Sequence, residues 1–228
     1  MENWLIFVGI PLILGIWAQA KVSGAFRRYS QVRASSGLTG AQAAQEILDA
    51  AQIHDVNIVQ INGMLGDHGT AILIARNQLA LEADVASDCQ PLAGLVAAML
   101  AVCPFIHCLR DATRGGVATV LNEFAQSSGA GIRIRESALP MREEVKGACE
   151  ILGLDPLYLA NEGKLVAVVA AADADAVLAA MRAHPAGTHA AVIGEVTEQP
   201  TGMVLMQTGF GGERIVDMLV GEQLPRIC

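Results

Sequence analysis

From residue 63 onward the chain alternates between two hydrophobic periods, and this alternation restricts its fold more than any other feature. Helical patterns fall at about 70–79, 91–103, 115–128, 141–152 and 173–184. Strand-like runs fall at about 131–136, 164–170, 190–197, 202–208 and 213–217. "GIRIRE" alternates residue by residue, whereas "KLVAVVA" is continuously apolar and reads as a strand covered on both faces. Gly and Pro punctuate the boundaries. Strands interleaved with helices predict a layered domain of the α/β (α+β layered) class. The composition agrees. Hydrophobic residues are 53% of the chain and aromatics only 4%, so the core must be built from Ala, Val, Leu, Ile and Met.

The 228 residues carry a net charge of −8, which argues against a nucleic-acid partner because nothing here neutralises a run of phosphates. Five dispersed cysteines without a CxxC pair read as reduced thiols, most of them small core residues. The histidines are equally scattered and no HExxH occurs, so no metal site is expected.

The first part of the chain has a different character. Trp4 to Ala20 is free of charge, with Trp4 and Trp17 near its ends and basic residues following it. Its length suits one short membrane-crossing helix, and the basic flank would leave the C-terminal part in the cytoplasm. Ala18-Gln19-Ala20 keeps a cleaved signal peptide open as the competing reading. Residues 1–22 are thus expected to be an anchor, giving membrane association through residues 4–20. Thr39 and Gln42 then begin a capping-box helix, and "VNIVQI" at 56–61 is a short strand. Residues 23–62 make up this helix–strand segment.

Three polar motifs could carry chemistry. In "RDATRGG", Arg110, Asp111, Thr113 and Arg114 precede Gly115 and Gly116 at a helix start. Two guanidinium groups, close-approach glycines and N–H groups at a helix start suit a phosphate. An ordinary helix capped by Asp111 or Thr113 is the plain reading. In "NEGK", Asn161, Glu162, Gly163 and Lys164 precede an apolar strand, where Glu162 could transfer a proton or simply sit in a solvated turn with Lys164. In "GDHG", Asp67 and His68 either orient something or shape a turn.

With these motifs stand "SDCQPLAGLV", "REEVKGACEILGLDPLYLANEGKLVAVV" and "RIVDMLVGEQLPRIC". In that order they resemble the C-terminal half of HypE, the hydrogenase maturation factors called carbamoyl dehydratases. The likeness covers about residues 63–228, with a flexible tail at 221–228. It implies a PurM C-terminal-like domain (aminoimidazole ribonucleotide synthetase-like superfamily) with a mixed sheet and packed helices. It also implies roles: Cys228 carries a carbamoyl group received from HypF, and Glu162 moves a proton. The "RDATRGG" residues line a cleft for ATP and Mg, with Asp67, His68, Asn161 and Lys164 as further cleft residues. Dehydration yields a thiocyanate, whose cyanide passes to a HypC–HypD scaffold. Ala112 departs from the family pattern, which places proline there.

Residues "RRYSQVRASSGLTGAQAAQEILDAAQIHDVNI" resemble the N-terminal segment of YugP-like membrane zinc metallopeptidases. This leader is expected in place of the N-terminal HypE half, which in that family contributes Mg–ATP ligands. A chain of this make-up is expected to retain the carrier cysteine and half of the dehydratase site. The alternative is a membrane-anchored, non-catalytic module that docks maturation partners.

Overall fold

The computed structural model describes residues 57–76 and 84–219. In chain order the elements are strand β1 (Asn57–Ile61), helices α1 (Asp67–Ala75) and α2 (Ala93–Val102), and strand β2 (Cys108–Asp111). Helix α3 (Gly116–Ser128), strand β3 (Gly131–Arg135), helix α4 (Glu143–Leu152) and strand β4 (Leu165–Ala170) follow. Helix α5 (Ala171–Ala183) and strands β5 (Ala191–Thr197), β6 (Val204–Gln207) and β7 (Glu213–Val216) complete the α-helices and strands among the described residues, with short 3-10 turns at Glu136–Ala138, Pro156–Tyr158 and Pro185–Gly187.

The seven strands form one mixed sheet in the order β2-β4-β1-β5-β3-β6-β7. Every neighbouring pair is antiparallel except β3 and β6, which run parallel. β4 shows why its sequence carries no polar alternation. Val166 and Val168 face a cluster that includes Val117 and Leu121 of α3, while Leu165, Ala167 and Val169 face Leu95 and Met99 of α2 and Val177 and Met181 of α5. The sheet at this point is the middle of three layers. A side chain of Val or Leu size buried on either face contributes roughly 1.5–3 kcal/mol, so neither face tolerates a polar residue without a partner.

All five helical patterns and all six strand runs read from the sequence correspond to elements of the fold. Three details differ. The strand placed in the 23–62 segment is β1, which lies inside the sheet between β4 and β5. Gln60 on it is fully buried and donates to the Ala174 carbonyl at 2.7 Å. α1 begins at Asp67 rather than near 70, because Gly66 adopts a left-handed conformation (φ 77°) that turns the chain directly into the helix. β2 was not foreseen: "CLRD" is four residues at the sheet edge, half-buried then exposed, too short for a period to show.

The anchor expected over 4–20, the remainder of the segment up to residue 56, and the tail at 221–228 lie outside the described residues. No described helix is long and apolar enough to cross a membrane.

Candidate functional site

The turn that leads into β4, Asn161–Lys164, is fastened at every position. The Asn161 side chain is fully buried: its Oδ1 accepts from the Gly66 N–H at 2.9 Å, and its Nδ2 donates to the carbonyls of Ala112 (3.2 Å) and Leu159 (3.0 Å). The Glu162 N–H donates to Asp88 Oδ1 at 2.9 Å. The Gly163 carbonyl accepts from Asn62 Nδ2 (3.1 Å) and Gln90 Nε2 (3.2 Å). Lys164 Nζ lies 2.9 Å from Asp88 Oδ2, and both side chains are almost wholly buried. Gly163 is required by close approach, since a Cβ there would sit 1.9 Å from the Asp88 carbonyl oxygen. The solvated turn is therefore not what forms, and Lys164 is a buried ion-pair partner instead of a surface charge.

"GDHG" meets this turn from the side. Gly66 is held by Asn161, and the Gly69 N–H donates to the Ala160 carbonyl at 3.2 Å. Asp67 and His68 belong to the first turn of α1, not to a loop. Asp67 is buried, and its Oδ2 accepts from Arg142 Nε at 3.1 Å while its Oδ1 has no hydrogen-bond partner. His68 Nδ1 lies 2.8 Å from Ser87 Oγ.

"RDATRGG" joins on the other flank. Arg110 and Asp111 end the edge strand β2, and the Arg110 guanidinium is paired with Glu123 of α3. Ala112 is fully buried; its N–H donates to the Lys164 carbonyl at 3.0 Å and its carbonyl accepts from the Asn161 N–H at 3.2 Å. A proline in its place could make the second of these bonds but not the first. Gly115 is the left-handed cap of α3, with no side-chain cap, so neither Asp111 nor Thr113 fills that role. Gly116 packs on backbone: a Cβ there would sit 2.4 Å from the Leu157 carbonyl oxygen. Arg114 is exposed and Thr113 half-buried at the start of α3, whose first N–H groups have no partner within the helix.

The three motifs, up to about a hundred residues apart in sequence, thus converge on Asn161. Four residues that local spacing did not single out, Asn62, Asp88, Gln90 and Arg142, complete the arrangement. A cleft of about 370 Å³ opens beside the turn, lined by Asn62, Asp67, Asp88, Arg142 and Lys164 among others. Cys228 lies outside the described residues. Among the described residues no group of three or more His, Cys, Asp or Glu side chains is placed to hold a metal.

Residues 41–206 match the family of AIR synthase related proteins, C-terminal domain, and the chain belongs to that family. Within it, the chain is 57% identical to carbamoyl dehydratase HypE of Rhodobacter capsulatus over 179 residues, 78% of this chain and 53% of that one. It is 48% identical to carbamoyl dehydratase HypE of Cupriavidus necator over 223 residues, 96% of this chain and 62% of that one. Among solved structures it is similar to hydrogenase maturation protein HypE in complex with ATP, with TM-score 0.71 and 47% identity over 75% of this chain and 52% of that one. It is also similar to a chain of a HypE–HypF complex, with TM-score 0.69 and 45% identity over 72% of this chain and 53% of that one. The chain therefore spans roughly half to three-fifths of the length of these relatives. The likeness of residues 23–62 to membrane zinc peptidases finds no support, since the family match begins at residue 41 and the Cupriavidus relative covers 96% of the chain.

Proposed function

We propose that this chain provides the C-terminal part of a HypE-type carbamoyl dehydratase acting in hydrogenase maturation, with Cys228 as the carrier and Glu162 as the proton acceptor. The observation that supports this reading is the convergence of "GDHG", "RDATRGG" and "NEGK" on Asn161, the residue immediately before Glu162. The similarity to HypE proteins along most of the chain supports it.

The chemistry assigned to the chain's own groups is limited and balanced. The Cys228 thiolate attacks the carbonyl carbon of a carbamoyl donor presented by a HypF-type partner. The C–S bond forms as the donor's bond from that carbon to its phosphate-type oxygen breaks, the phosphate departs with the electron pair, and Cys228 is left as an S-carbamoyl group. In the second step the carbamoyl nitrogen gives up one proton to solvent as its carbonyl oxygen takes a phosphoryl group, and the Glu162 carboxylate accepts the second as the carbon–oxygen bond breaks, phosphate leaves and the carbon–nitrogen triple bond forms. ATP, when bound, supplies the phosphoryl group that turns the departing oxygen into a leaving group. Of the residues expected to receive it, Arg114, Thr113 and the backbone N–H of Gly115 fit one edge of a polyphosphate, whereas the Gly116 N–H is already given to the Thr113 carbonyl at 3.3 Å. Arg110 does not, because Glu123 already holds it. Nine residues follow Leu219 to Cys228. At no more than about 3.6 Å each they allow a reach of at most roughly 32 Å. The S-cyano product would then be handed to a HypC–HypD-type scaffold.

Incubation with a HypF-type carbamoyltransferase, carbamoyl phosphate and ATP, followed by intact-mass analysis of the C-terminal peptide, tests the carrier step. The parent chain gains one carbamoyl group at Cys228 and Cys228→Ala gains none. An adduct that persists in Cys228→Ala, or no adduct in the parent, removes the carrier from the account.

A further inference from the structure

The ion pair between Asp88 and Lys164 is unusual in its cost. Both side chains are almost entirely out of water, at 3% and 6% exposure. Burying such a pair loses the hydration of two charges, and well-packed apolar side chains in the same space are often as stabilising or more so. Stability alone therefore gives no reason for this pair. Its geometry does. Asp88 uses one oxygen for Lys164 and the other for the Glu162 N–H, on either side of Gly163. Its own carbonyl oxygen is the atom that keeps position 163 free of a side chain.

We propose that Asp88 is a positioning residue for Glu162, with Oδ1 fixing the backbone from which the Glu162 carboxylate projects. The proposal rests on the reading of Glu162 as the proton acceptor. Lys164 Nζ lies 2.9 Å from the second carboxylate oxygen and offsets the charge of the buried Asp88. Asn62 and Gln90 both donate to the Gly163 carbonyl. A proton-transfer group displaced by about 1 Å can lose about a hundredfold in rate, and groups that orient a reactive residue typically matter 10–100-fold when removed. Asp88 thus acts through Glu162 without touching the carbamoyl group itself.

Two double variants separate positioning from folding. Asp88→Asn/Lys164→Met removes both charges but keeps a side-chain oxygen for the Glu162 N–H. Asp88→Ala/Lys164→Met removes both charges and that acceptor. Each is loaded with a carbamoyl group at Cys228 and followed by intact mass in the presence of ATP and the N-terminal half of a HypE-type relative, with melting temperatures measured alongside. The Asn/Met chain, which keeps an acceptor for the Glu162 N–H, is expected to form the S-cyano product about 10–100-fold faster than the Ala/Met chain. Between the two double variants the ATP concentration that gives the half-maximal rate and the melting temperature are expected to be the same, so that the difference in single-turnover rate reports the acceptor alone. Equal rates in the two double variants, whether both fast or both slow, overturn the role of Asp88. Glu162→Gln provides the separate control. If it converts as fast as the parent, or the parent does not convert at all, the reading of Glu162 fails and the proposal with it.

Discussion

Asn161 spends its whole side chain on backbone groups from three parts of the chain. Removing it leaves the Gly66 N–H and the carbonyls of Ala112 and Leu159 without this partner in a site from which water is excluded. An unsatisfied buried group costs about 1–3 kcal/mol, so Asn161→Ala is expected to lower the free energy of unfolding by about 2–4 kcal/mol in urea titration. An unchanged midpoint would mean that the three motifs hold together without it. The same residue shows where local reading stopped. "NEGK" advertised a charged turn, yet whether Asn161 and Lys164 face water depends on Gly66, Asp88 and Ala112, all of which are remote in sequence.

Between elements, the junction of β7 with the turn at Pro156–Tyr158 matters most, because the C-terminal residues leave from it. Arg214 of β7 pairs with Asp155, the buried Asn122 of α3 donates to the Val216 carbonyl at 2.9 Å, and the Tyr158 hydroxyl donates to the Asp217 carbonyl at 2.8 Å. Tyr158→Phe deletes only the last of these bonds. It is expected to speed amide hydrogen exchange at residues 217–219 while changing global stability by no more than about 1 kcal/mol. Unchanged exchange there would show that the Asn122 bond and the β6–β7 pairing suffice. Periodicity revealed α2 to α5 and the longer strands because each presents a regular apolar face or a double-faced apolar run. β2 escaped because a four-residue edge strand has no period, and its Arg110 and Asp111 read as loop chemistry.

Across the whole domain, buried titratable groups set the pH range of stability. Burial pushes the Cys108 thiol up to about 11, against a hydrogen bond with Val168, and pushes Cys149 to about 11 with help from Asp155 and Glu150. Both thiols stay protonated in the fold while the unfolded chain ionises near 9, so stability is fully present below about pH 9 and declines as pH rises toward 11. Burial lowers the pKa of His107, with Asp173 opposing, so stability also declines as pH falls below the ordinary value of 6.5. Urea midpoints measured from pH 5 to 11 should trace this plateau, and Cys108→Ala should flatten part of its alkaline edge. An alkaline edge unchanged by Cys108→Ala and Cys149→Ala would assign it to other groups.

At this scale the sequence showed the layered class and the three motifs, because both are written in contiguous residues. It did not show the Asp88–Lys164 pair or the Asp67–Arg142 pair, whose partners meet only through the sheet topology. The central claim, that the turn at 161–164 presents a working proton acceptor to the group on Cys228, is tested most directly in a single turnover. The chain carrying a preformed S-carbamoyl Cys228 is mixed with ATP and the N-terminal half of a HypE-type relative, which supplies the remaining part of the site, and the C-terminal peptide is weighed over time for the parent and for Glu162→Gln. The account predicts loss of one water in the parent and retention of the intact carbamoyl group in Glu162→Gln, with a rate difference of at least about a hundredfold. Equal rates of water loss in the two chains would contradict it.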